Sequence, residues 1–145
     1  MKYLVVKLVS GLANRIRVLE ASYNYAQVHG AKLTIIWGKN FFLNAPYEDC
    51  FEAVNGATLI NLNCNGTSVF AKLRRTFFDN VESAWLSFFT SVKKYDDDID
   101  LLLNNTEPTE KSKVFFDELA KHNRGVFLET CYEFYPNEQQ YHLRI

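Results

Sequence analysis

Three cysteines, a near-balanced charge and the lack of any long apolar run remove several function classes from this 145-residue chain. Cys50, Cys64 and Cys131 are odd in number, widely spaced and form no C-x-x-C pair. That excludes a disulfide framework or a structural zinc site and leaves reduced thiols of the kind expected in a cytoplasmic protein. The formal net charge is −1, so the totals offer no electrostatic footprint for nucleic acid or an anionic membrane. No stretch approaches the roughly 20 apolar residues of a spanning helix. The run from Tyr3 to Val9 is broken by Lys7 and ends at Ser10-Gly11, without the longer apolar core or cleavage site of an export signal. The dinucleotide fingerprint G-x-G-x-x-G and the phosphate loop G-x-x-x-x-G-K-[ST] are both missing, which argues against a nicotinamide dehydrogenase and a P-loop NTPase. There are no internal repeats and no low-complexity linker, so residues 1–145 read as one domain.

What the chain does have is apolar and aromatic material: 48% hydrophobic residues, with twelve Phe and eight Tyr. That suits a well-filled core or an apolar surface awaiting a partner. Tyr3 to Val9 is a β-branched run of the type buried in parallel sheets. A helix is expected from about Ala13 to His29, stopped by Gly30, with Ile16, Leu19, Tyr23 and Ala26 as its apolar face. Arg15, Arg17, Asn24 and Gln27 fall largely outside that stripe. Lys32 to Trp37 is a second strand, which completes a βαβ unit and implies a right-handed crossover. Further along, a short helix is expected over Tyr47 to Val54 with Phe51 inward, a third strand over Ala57 to Ile60, and one or two helices over Ser68 to Lys94. Asp96-Asp-Asp-Ile-Asp100 reads as a solvated loop or helix start rather than a metal site. A helix over Glu107 to Lys121, capped by Thr106 or Thr109, precedes a strand over Val126 to Tyr132. The fold class is therefore a three-layer α/β, Rossmann-like domain with a mostly parallel sheet.

The segment with most chemistry is Ser10-Gly-Leu-Ala-Asn-Arg15, where the first strand hands over to the first helix. Ligands of open α/β sheets collect beyond the carboxyl ends of strands, and a helix N-terminus offers unpaired N–H groups to an anion. Gly11 permits a tight turn or a close ligand approach, Asn14 can donate and accept hydrogen bonds, and Arg15 carries a fork of donors matched to phosphate or carboxylate. The same residues also suit an ordinary turn and a solvated helix start. His29 and His122 sit at helix ends, and Lys72-Leu-Arg-Arg75 reads as a solvated helix face. Asn65-Gly66-Thr67 and Asn104-Asn105-Thr106 match the glycosylation acceptor pattern, which arises often by chance.

Residues 10–19, the helix after them and Leu33 to Trp37 resemble the opening of fucosyltransferase-like GT-B glycosyltransferases, the group of nodulation α-1,6-fucosyltransferases and protein O-fucosyltransferases. Tyr47-Glu-Asp-Cys-Phe51 loosely matches the aromatic-acidic-x-x-Phe pattern that follows in that group. The resemblance implies an N-terminal, acceptor-side Rossmann-like half, with fucose transferred from GDP-fucose to a glycan of surface polysaccharide, with inversion and without an essential metal or other cofactor. It also implies that Gly11, Leu12 and Asn14 meet substrate and that Arg15 stabilises charge. The group's second domain carries an H-x-R motif; here His142-Leu-Arg144 is followed only by Ile145 and preceded by no apolar strand, so the donor domain is expected to be absent. Partners are then a nucleotide sugar and a glycan, a second copy of the chain, or a separate donor-domain chain. The alternatives are a catalytically silent interaction module and an unrelated small-molecule-binding α/β domain.

Overall fold

The computed structural model describes residues 1–40, 43–54, 56–63, 73, 84–104 and 107–136. Five strands form one parallel sheet: β1 (Tyr3–Leu8), β2 (Lys32–Lys39), β3 (Ala57–Asn63), β4 (Val92–Tyr95) and β5 (Gly125–Glu129), in the spatial order β3-β2-β1-β5-β4. The helices are α1 (Leu12–His29), a helical segment over residues 84–89 (α2), α3 (Asp96–Leu103) and α4 (Glu110–His122). This is the expected three-layer α/β, Rossmann-like architecture.

Handedness explains which helix covers which face. The steps β1→β2, β2→β3 and β4→β5 all move toward the β3 edge, so right-handed crossovers put their connections on one face. There Leu4, Val6, Leu8, Ile35, Trp37, Val126 and Leu128 pack against Val18 and Tyr25 of α1, Ile99 of α3 and Phe116 of α4. The step β3→β4 runs back across the sheet, and the described helix of that connection, α2, takes the opposite face. There Val5, Ile36 and Phe127 pack against Leu86 of α2. Each fully buried side chain of this size contributes about 2 kcal/mol of transfer free energy. The two helical layers cover β1 and β5 on both sides: Leu4 and Val6 on one face are 0% exposed, and Val5 and Phe127 on the other are 1% and 2% exposed.

Four expectations need correction. On α1, Leu19 and Ala26 of the expected face are buried, and Ile16 and Tyr23 pack partly buried against the core, but the buried face is wider and also takes in Arg15, Val18, Ser22, Asn24 and Tyr25. Polar residues join it because each finds a partner: the Ser22 hydroxyl donates to the Val18 carbonyl at 2.6 Å, and the Asn24 amide donates to the Pro136 carbonyl at 2.7 Å. The helix expected over Tyr47 to Val54 is one 3₁₀ turn, Tyr47–Asp49, although Phe51 is buried. The side-chain oxygen of Asn61 accepts the Tyr47 N–H, and the Tyr47 hydroxyl donates to the Glu52 carbonyl, so side chains tie the segment down in place of a helical ladder. Val92 to Tyr95 is an edge strand rather than the end of a helix; its two lysines are the charges that blunt exposed edges. The strand at Gly125 stops at Glu129, because the Cys131 N–H donates to the Asp96 carboxylate and the Tyr132 N–H to the Thr130 hydroxyl. With those donors spent, the ladder cannot continue.

Other expectations hold. Gly30 closes α1 in the left-handed conformation at φ 62°, Thr109 precedes α4 as its cap, and the acidic run begins α3. The Tyr95 N–H donates to the Asp98 carboxylate at 2.9 Å, as a helix-start acid should accept. Cys64, Asn65 to Thr67, most of Lys72 to Arg75, and His142 with Arg144 lie outside the described residues. Among the described residues no helix is long and apolar enough to cross a membrane.

Candidate functional site

Two loops meet at the carboxyl edge of the sheet: the turn from β1 into α1, and residues 130–136 after β5. The strands are neighbours, so their exits lie side by side. Between them, the end of α3 and residues 107–108 opens a cleft of about 360 Å³, lined by Asn14, Arg17, Leu103, Glu107, Pro108, Cys131, Tyr132 and Glu133. Its lining mixes hydrogen-bonding groups with apolar Leu103 and Pro108, which is the chemistry of a small-molecule site.

The sequence-derived residues separate here. Asn14 lines the cleft. Leu12 is 42% exposed at the helix start. Gly11 is the N-cap residue at φ −66° and ψ 164°, an ordinary extended conformation, so the turn itself does not demand glycine. A Cβ there would meet no atom within 4 Å. Neither the backbone conformation nor crowding at the turn requires glycine there.

Arg15 is not a solvated helix residue: it is 0% exposed. Its Nε donates to the Ser10 carbonyl, one terminal nitrogen donates to Asn40 Oδ1 at 3.2 Å, and the guanidinium lies 4.5 Å from the centre of the Trp37 ring. Asn40 in turn donates to the Val9 carbonyl. Trp37 is held by Nε1 donating to the Ala45 carbonyl at 2.8 Å and by edge contacts with Tyr47 and Phe51. Arg15 thus ties the exit of β1 to the exit of β2 in the interior. Its position gives it a positioning role for the turn, while Asn14, one residue earlier, reaches the cleft.

Sequence reasoning missed Glu133, Glu107 and Tyr132, and noted Arg17 only as lying off the apolar stripe. The strand that was expected to run to Tyr132 concealed a second carboxyl-end loop; the strand-end rule that singled out Ser10 to Arg15 would have found it. Burial pushes the Glu133 carboxyl above its usual range, and Glu107 and Glu20 add to this, while Arg17 opposes it. Burial, and then Asp96, push the Cys131 thiol up, so it is a poor candidate for thiolate chemistry. Asp100 raises the Tyr132 hydroxyl and keeps it a hydrogen-bond donor. The arrangement offers donors at Asn14 and Arg17 and acceptors at Glu107, Glu133 and the Tyr132 oxygen, whose own proton goes to Asp100. Among the described residues no group of three or more His, Cys, Asp or Glu side chains stands close enough to share a metal ion.

A second polar cluster lies along α1 and α4. Asp117 accepts from the Tyr135 hydroxyl at 2.6 Å and from Lys113 at 2.8 Å, and pairs with His29 at 2.9 Å. Burial alone would raise its pKa, but these three hydrogen bonds outweigh that and hold it below the usual aspartate range. Tyr25, Phe116, Phe134 and Tyr135 pack around it, so this network fastens the segment after β5 to both helices. No protein-family model, curated protein or solved structure matches the chain.

Proposed function

We propose that this domain serves glycosyl transfer of the fucosyltransferase type, from a GDP-linked sugar to a glycan, and that it supplies the acceptor side. The observation that carries the reading is the position of Asn14. It stands in the first turn of α1, in the segment that resembles those enzymes, and it lines a cleft at the carboxyl edge of the sheet. The buried Arg15, stacked on Trp37, ties the two resembling stretches together and supports that reading of both. An unrelated α/β domain would be favoured by an Asn14 remote from any cleft.

The test is to incubate the chain with GDP-fucose and a range of glycan acceptors, measuring transfer and the hydrogen-exchange protection of residues 11–15. Transfer with protection supports the reading; neither transfer nor protection overturns it. A silent interaction module is the second reading, favoured by large apolar side chains in solvent, with Phe88 81% and Leu101 86% exposed. Concentration-dependent self-association without transfer would select it.

A further inference from the structure

The cleft beside the glycine turn has the wrong charge for a diphosphate. Glu107 and Glu133 line it, with Arg17 as the cation among its described lining residues. Glu20 of α1 lies close enough to Glu133 to repel its ionised form. On the other flank, Asp96 and Asp100 of α3 act on Cys131 and Tyr132. A phosphate entering here would leave water for a site with more carboxylates than cations, and such like-charge contacts are disfavoured. The N-terminal end of α1 offsets this only in part, since a helix end is equivalent to about half a charge.

A neutral polyhydroxyl molecule meets the opposite situation. Each hydroxyl both donates and accepts, and the lining supplies both kinds of partner: the Asn14 amide and Arg17 guanidinium on α1, the Tyr132 hydroxyl, and the carboxylates of Glu107 and Glu133. Leu103 and Pro108 provide apolar surface for the C–H face of a ring. The volume of about 360 Å³ falls within the range of small-molecule sites.

We propose that this cleft binds a neutral polyhydroxyl molecule and that Glu133 accepts the proton of the hydroxyl that reacts, a role resting on the glycosyl-transfer reading above. The hydroxyl proton moves to a Glu133 carboxylate oxygen. The electron pair left on the hydroxyl oxygen forms the bond to the anomeric carbon of a nucleoside-diphosphate sugar. The bond from that carbon to the diphosphate breaks, and its electron pair leaves with the diphosphate. Glu133 then releases the proton to solvent. Its burial beside Glu107 and Glu20 favours the protonated form and makes the carboxylate a stronger base than an exposed one. Arg17 opposes this shift.

The test is an NMR titration of the full chain with two neutral disaccharides, lactose and N,N′-diacetylchitobiose, and separately with GDP, at several pH values. At least one disaccharide should shift the Asn14, Leu103, Tyr132 and Glu133 amides saturably, and GDP should not. Affinity should fall as pH drops through the Glu133 titration. Glu133→Gln should weaken binding about tenfold, the loss of one hydrogen bond to a charged group, and remove the pH dependence. Glu133→Asp should retain it. Saturation of the same amides by GDP, silence from both disaccharides, or a Glu133→Gln profile like the parent's would overturn the site. Disaccharide binding with neither fucosyl transfer nor hydrogen-exchange protection of residues 11–15 would overturn the glycosyl-transfer reading and, with it, the proton-transfer role. Transfer without disaccharide binding would overturn the site alone.

Discussion

Gly125 is seated directly against the backbone of residues 89 and 90. It opens β5, and an added Cβ would stand 1.7 Å from the Phe89 carbonyl oxygen, 2.8 Å from its carbon and 2.9 Å from Thr90 Cα. Real Cβ contacts essentially never fall below 3.0 Å, so the two backbones must part by roughly 1.3 Å at the closest pair. Because backbone rather than a flexible side chain is struck, Gly125→Ala belongs at the upper end of overpacking costs, about 3 kcal/mol. The Ser91 N–H and hydroxyl both donate to the Gly125 carbonyl, at 2.8 and 3.3 Å, and parting the backbones strains them for about 1 kcal/mol each. The expected loss is about 3–5 kcal/mol, or a fall in Tm of about 10–15 °C for a domain of this size. Urea and thermal melts followed by circular dichroism measure it. Gly11→Ala is the control, because its Cβ meets nothing, and it should cost no more than about 1 kcal/mol as a change of helix cap. A Gly125→Ala protein within 1 kcal/mol of the parent would refute the seating of residues 89–91 against β5.

Three further outcomes follow from the polar groups. Arg15→Met should cost about 3 kcal/mol, since it removes a buried guanidinium from Trp37, Ser10 and Asn40, and should change tryptophan emission; lost transfer with unchanged stability would instead make Arg15 catalytic. Asp117 has a lowered pKa, so the stability it contributes is full above the ordinary aspartate range and is lost as pH falls through the folded value. Asp117→Asn should therefore destabilise at neutral pH and flatten the acid limb of Tm against pH; an unchanged limb would refute the network. Glu133 has a raised pKa, so its ionisation works against folding above that value and not below the ordinary glutamate range. Glu133→Gln should raise Tm at neutral pH and give no gain well below pH 4; a loss at neutral pH would show that the carboxylate is a structural acceptor.

The opening βαβ unit could be read in the chain because local rules specify it. A β-branched run, a helix stopped by Gly30 and a second apolar run leave few alternatives once crossover handedness is added. The acidic start of α3 and the Thr109 cap of α4 were equally local. β4 was hidden because four residues with two lysines carry no apolar period; its strand state comes from pairing with β5. The polar part of the buried face of α1 was missed because hydropathy ranks Arg15 and Asn24 as outward, and only their partners at Ser10, Asn40, Trp37 and Pro136 make burial favourable. For the site, the sequence by itself determined the glycine turn and its place at a strand end. Tertiary structure decided that Asn14 faces a cleft while Arg15 goes inside, and that Glu133, more than a hundred residues away in the chain, completes the lining. The physical reason is adjacency: β5 pairs with β1, and no periodicity within either strand records that pairing.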